Sequence, residues 1–284
     1  MISRAKPENI ERYHQAQTVA EFCDLVQSGK LSSAFSVIFQ QLIPRDLPID
    51  VLLSAECIEN LKTTLCNNSG LDKIFLSQDC VDKSAKLSCK YYEEIIFEDG
   101  FIPTRKSNWH DFFNGLIWLQ MPKTKNLLNR MHMDEIKRIG CKPRGAIRDR
   151  ITHFDECGLV LFVKDANVAA MLNEHNWKAL FVENRDKWFT DITPFVFGHA
   201  LWEMLLEPFI GLTAKALVID VSTFEQPLST SQMDDLLCAY LRENAFFQQK
   251  KRLKPLPLLG IPGWHVDVQD KDFYDNENYF MPKK

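Results

Sequence analysis

No stretch of about 18 or more clean apolar residues occurs in this sequence, so no segment is suited to crossing a bilayer as a single helix. The longest apolar stretch, ITPFVFGHALWEMLLEPFIGL at 192–212, is interrupted by His199, Glu203 and Glu207. Residues 1–17 carry charges with no apolar segment behind them, so no secretory signal is expected. The eight cysteines, at 23, 57, 66, 80, 89, 141, 157 and 238, include no C-x-x-C pair and show no regular spacing. A chain of 284 residues does not need disulfides to supplement a small core, so the thiols are expected to be reduced, buried, small hydrophobes in a cytoplasmic protein. Walker loops, G-x-G-x-x-G, G-x-S-x-G elbows and nucleic-acid modules are also missing. The net charge of −4 argues against general nucleic-acid binding.

What is present describes a globular protein: 45% hydrophobic, 25% charged and 11% aromatic residues can build a sizeable core. Apolar periodicity predicts helices at 8–17, 19–28, 32–42 and 49–65, then at 107–120, 124–139, 167–174, 177–182, 193–208 and 231–249. Ser107 is the expected N-cap of the helix at 107–120, and Gly140 the expected stop after 139. Strands are expected at 73–76, over 91–105 with Asp99-Gly100 as a hairpin turn, at 159–165 and at 213–221. The segment 141–158 reads as a long connection with a short helical turn near Ile147. The segment LKPLPLLGIPGWHV, 253–266, reads as an irregular strap over the core. The fold class expected is α+β, predominantly helical with a small mixed sheet. A helical segment (1–66) precedes an α+β core domain (67–264) and an acidic, loose tail (265–284).

Charge is unevenly placed. Nine basic residues against three acidic ones between Met121 and Arg150 leave a local balance of +6, which a solvated face or an anion-steering surface would equally explain. Three stretches combine polar groups in ways that chemistry uses. In SNWHDFFNGLIW, 107–118, His110 and Asn114 lie four apart on one helical face, with Asn108 and Asp111 at the helix start. RDRITHFDECG, 148–158, gathers Asp149, His153, Asp155 and Glu156 just before a buried strand. In FGHALWEMLLE, 197–207, His199 and Glu203 are four apart, a spacing that suits joint metal ligation or a base held by its carboxylate. Each stretch also has a plain structural use, as a cap, an ion pair or a satisfied core bond.

The segments NWHDFFNGLIWLQMPKTK (108–125), RGAIRDRITHFDECG (144–158), FGHALWE (197–203), GLTAKAL (211–217) and LPLLGIPGW (256–264) resemble the domain-of-unknown-function 3025 family of uncharacterised bacterial proteins. The resemblance implies a bacterial, cytosolic protein and transfers no activity. From the residues themselves two readings follow, and the sequence does not decide whether the protein is an enzyme. One is a metal-assisted hydrolase acting on an anionic substrate. Its catalytic residues would be Asp155, Glu156, His110 and Asp149, its substrate-binding residues Asn108, Arg148 and Asn114, and its ligands to a divalent metal (zinc, iron or manganese) His199, Glu203 and Asp155. The other is a non-catalytic binding or adaptor protein that meets its partner through the basic stretch 123–150 or the Pro-rich segment 254–264. The first requires the three stretches to converge on one cavity.

Overall fold

The computed structural model of the protein describes residues 53–65, 70–206, 208–225, 227–243, 245–250, 253–265 and 269–283. The helices expected at 8–17, 19–28 and 32–42, and the cysteines 23 and 66, lie outside these residues. The first described helix is α1 (Ala55–Leu65). A short parallel pair follows, β1 (Ile74–Ser77) with β2 (Phe101–Thr104), separated by α2 (Gln78–Lys83) and by a helical arm at Tyr92–Glu94 and Ile95–Asp99. No hairpin forms at Asp99-Gly100. Gly100 does turn the chain, with φ of 76°, but residues 92–99 are wound as helix, so the flanking strand meets β1 in parallel.

Next come three helices, α3 (Trp109–Gln120), α4 (Pro122–Ile139) and α5 (Ala146–Cys157). Asn108 rather than Ser107 caps α3: its side-chain oxygen accepts the backbone N–H of Asp111 at 2.9 Å, while Ser107 takes a positive φ of 54°. Pro122 opens α4, where the first turn has no intrahelical use for its missing N–H. Met121 cannot cap that turn, and Asp234 from elsewhere in the chain does so instead. Its carboxylate accepts the backbone N–H groups of Lys123 (2.8 Å) and Thr124 (2.9 Å). The expected connection 141–158 is in fact α5, with Ile151 and Phe154 buried on one side.

A mixed four-stranded sheet, in the order β4, β3, β5, β6, forms the centre. Here β3 (Gly158–Val163) runs parallel to β5 (Thr213–Asp220) and antiparallel to β4 (Ile192–Val196), and β6 (Lys254–Pro257) pairs antiparallel with β5. All six residues of β3 are buried, as its unbroken apolar run requires. The helix expected over 193–208 is β4 followed by α7 (His199–Leu205); between β3 and β4 lie α6 (Asn167–Asn173) and a helical turn at Ala179–Glu183. The strap at 253–266 contributes β6, because an outer strand tolerates Pro255 and Pro257 as an inner one would not. Leu256, Leu258, Leu259, Ile261 and Trp264 are buried along it, so its apolar side chains pack into the core as a strap and are not offered to a partner.

The long helix α8 (Thr230–Glu243) packs on α4, and α9 (Lys271–Tyr274) lies in the tail expected to be loose. That tail plants Tyr274 and Phe280 against Phe181 and Tyr279 against Phe280, and each large side chain so buried contributes roughly 1.5–3 kcal/mol. Among the described cysteines all are free: Cys57 and Cys238 are buried as expected, whereas Cys80 and Cys89 are exposed. No helix among the described residues is long and apolar enough to cross a membrane. The architecture is α+β and predominantly helical.

Candidate active site

Two chain junctions set the site. Gly158 carries α5 directly into β3, and Gly198 carries β4 into α7; the N–H of Gly198 donates to the carbonyl of Gly158 at 2.8 Å. A Cβ at Gly198 would lie 2.4 Å from the carbonyl oxygen of Glu156 and 2.5–2.6 Å from the backbone nitrogens of Gly158 and Cys157, so only glycine allows this approach. The consequence is that His199, the first residue of α7, is set beside Asp155 in the last turn of α5. α7 also packs closely on α3, which brings His110 to the same point.

His110 Nε2 and His199 Nε2 are 3.0 Å apart, with rings nearly perpendicular. On the other side of His110, Nδ1 meets Glu203 Oε2 at 3.1 Å. Glu203 therefore serves the histidine of the neighbouring helix and not His199, its own i−4 neighbour. On the far side of His199, Nδ1 is 3.9 Å from Asp155 Oδ2, too long for a hydrogen bond, and that nitrogen has no hydrogen-bond partner. Burial holds His199 neutral, pushing its pKa down to about 3 against the pull of the Asp155 carboxylate.

Asp155 leads on to Lys125. The Lys125 ammonium, on α4, is 2.5 Å from Asp155 Oδ1, donates to Asn114 Oδ1 at 2.9 Å, and lies 5.3 Å over the Trp118 ring. Asn114 Nδ2 in turn donates to the Tyr92 hydroxyl at 2.8 Å. Burial alone would raise the Asp155 pKa, but Lys125 and His199 outweigh it and hold the carboxyl below its ordinary value. The Tyr92 hydroxyl is pushed far up, first by burial and then by Glu93. Broken only by the 3.9 Å gap between His199 and Asp155, a polar chain runs from exposed Glu203 through His110, His199, Asp155, Lys125 and Asn114 to Tyr92.

His110, His199, Asp155, Asn114 and Tyr92 of this chain line a cavity of about 490 Å³, together with Arg105, Asp111, His132, Arg144, Arg148, Thr152 and Glu156. Arg148, Thr152, Asp155 and Glu156 reach it together because they sit at i, i+4, i+7 and i+8 of α5. Of the residues singled out from sequence, His110, Asn114, Arg148, Asp155, Glu156 and His199 line it, and Glu203 stands behind His110. Asp149 is exposed on another face of α5, and Asn108 is spent on its cap. Asp111 is bound by Arg105 in a two-point pair at 2.7 and 2.9 Å.

The expected metal ligands do not assemble. Among the described residues no group of three or more His, Cys, Asp or Glu side chains is arranged to hold a metal ion. Asp155 faces Lys125, and Glu203 faces His110, so neither carboxylate converges with His199 on a common point. Sequence reasoning missed Lys125, Tyr92, His132, Arg144 and Thr152. For two of them a signal exists: Met121, Lys125, Leu128, His132 and Ile136 form the buried stripe of α4, so a lysine and a histidine stand where apolar residues belong. The stretch 123–150 is accordingly no uniform solvated surface, since Lys125 and Arg148 are inside.

A family model described as Protein of unknown function (DUF3025) matches residues 75–284, a span that contains every residue lining the cavity. No curated protein and no solved structure matches the chain.

Proposed function

The chain belongs to the DUF3025 family, and from that premise we propose that it is an acid–base enzyme, a hydrolase of an anionic substrate bound in the cavity beside His110 and His199. The observation that carries the proposal is the 3.0 Å contact between two imidazoles from separate helices, backed by Glu203, in the wall of a solvent-reaching cavity.

The array has two proton arrangements. In the first, His110 donates its Nδ1–H to Glu203 and its Nε2 accepts Nε2–H from His199, leaving His199 Nδ1 as the bare, unpartnered nitrogen; this tautomer follows from the network of partners. In the second, a proton has entered on the Asp155 side at His199 Nδ1, the shared proton has crossed to His110 Nε2, and His110 is an imidazolium facing the Glu203 carboxylate. His199 stays neutral throughout, which its burial demands. A ring too buried to hold charge can thus pass a proton to one that has a carboxylate for it. Removing a proton from water attacking the substrate, and returning it to the leaving group, needs this exchange together with a carboxylate of the cavity wall, Glu156, that carries the proton between the water and the buried His199 Nδ1.

Roles follow for the remaining residues. Asp155, held charged by Lys125, fixes the field at the proton entry point, and Glu156, half-buried in the wall, is a second proton carrier. Arg148 takes the charge of the substrate. The experiment is a hydrolysis screen of the purified chain over phosphorylated and carboxylated esters. His110→Ala should lower turnover by on the order of 10²–10⁴-fold, as loss of a general acid–base does. Glu203→Gln should lower it less and shift the pH profile. Unchanged turnover in His110→Ala overturns the reading.

A further inference from the structure

Arg148 is anomalous among the cations of this site. Unlike Lys125, which has Asp155 at 2.5 Å, and Arg105, which has Asp111 at 2.7 Å, it is a buried cation that no carboxylate holds. Arg148 is only 6% exposed, and among the described residues no acid lies in ion-pair contact with it. Its single hydrogen bond runs from Nη1 to the carbonyl of Cys141 at 2.9 Å, and its buried Nε has no partner. A buried cation without a counter-charge is costly, and this one stands in the wall of a cavity.

Its neighbours there are donors. Arg144, one turn earlier, is exposed and makes only a long 3.5 Å contact to the Thr152 hydroxyl. His132, from α4, is 5% exposed, and its Nδ1 also lacks a partner. The carboxylates nearby are otherwise placed: Glu93 accepts from Asn129 Nδ2 at 2.6 Å and holds its other oxygen 4.0 Å from His132 Nε2, Glu135 is bound by Arg138, and Glu156 stands two turns along α5 from Arg148. A planar carboxylate is saturated by one two-pronged guanidinium. Donors from two guanidinia and a hydroxyl, beside a buried imidazole, suit an anion with oxygens in several directions.

We infer that the corner of the cavity formed by Arg144, Arg148, Thr152 and His132 is a phosphate subsite, which anchors a phosphorylated small molecule while its scissile bond meets the histidine pair. The identity of the substrate class rests on the hydrolase reading; the subsite itself does not.

The test is calorimetric titration of the full chain with inorganic phosphate, with acetate as the comparison arm. Phosphate should bind the wild type, and Arg148→Gln should abolish binding. Arg144→Gln, a change at an exposed position that spares the fold, should weaken it by about tenfold or more, the loss of one charge-assisted contact. His110→Ala should bind phosphate as the wild type does. The subsite is refuted if phosphate does not bind at millimolar concentration, if acetate binds as tightly, or if both arginine variants bind unchanged. The two proposals fail separately. Normal phosphate binding with full turnover in His110→Ala sinks the relay alone, whereas lost turnover in that variant without any phosphate binding sinks the subsite alone.

Discussion

Acid should unfold this protein partly through His199, and the size of the effect can be worked out. In the unfolded chain the imidazole titrates at its ordinary 6.5, whereas in the folded protein burial pushes it down to about 3. Between those values the unfolded state holds one proton more than the folded state. The stabilising contribution of the neutral ring is therefore fully present above about pH 6.5 and is lost as pH falls toward 3, at about 1.4 kcal/mol per pH unit. From about pH 7.5 to about 4.5 the loss amounts to about 3 kcal/mol, a large part of the stability of an ordinary domain. His199→Gln keeps a polar side chain and cannot titrate. Its stability in neutral buffer should be lower, because the bond to His110 is altered, but its decline toward acid should be shallower by that amount. His132 is common to both proteins, and Asp155, whose pKa His199 helps to hold down, is removed from the comparison by making both proteins with Asp155→Asn as a second pair. Denaturant unfolding of the two proteins across this range measures the difference. Parallel curves would show that the ring is not held neutral and would refute the proton-passing scheme built on it.

Two further outcomes test the framework around the histidines. Lys125→Met should destabilise the fold by about 3 kcal/mol in denaturant unfolding, since it strands Asp155 and the Asn114 oxygen, and Lys125→Met with Asp155→Leu should recover much of that. Gly198→Ala should cost at least about 1–3 kcal/mol, because the new methyl meets backbone atoms that cannot step aside; a melting temperature equal to the wild type would disprove the close junction.

The sequence disclosed some of these elements and hid others for reasons that are physical. α3, α4 and α8 were legible because their apolar residues keep helical spacing over three turns or more, and β3 and β5 because a short unbroken apolar run fits a strand buried on both faces. α5 was hidden: its apolar positions Ile147, Ile151 and Phe154 are helical in spacing but are diluted by arginine and aspartate, and Pro143 and Gly145 just before them suggest a loop. β4 was hidden because an apolar run from Ile192 to Leu206 shows no boundary where strand gives way to helix at Gly198. Asp99-Gly100 announced a turn correctly, but a turn signal does not say which strand the returning chain will meet. The candidate site was legible residue by residue and not as an arrangement. His199 and Glu203 share a helical face, and that spacing suggested a common ligand; only the packing of α7 on α3 gives Glu203 to His110. Lys125 was hidden by its charge, which placed it among solvated cations although its position in the α4 stripe is apolar.

The two outer strands of the central sheet share one trait: β4 carries Pro194, and β6 carries Pro255 and Pro257. An imino nitrogen has no hydrogen to offer, so neither margin can serve as a template on which a foreign chain or a second molecule zips up. Growth of the sheet beyond its four members is blocked on both flanks. A protein with so apolar a centre thereby carries its own safeguard against fibrous assembly along these edges.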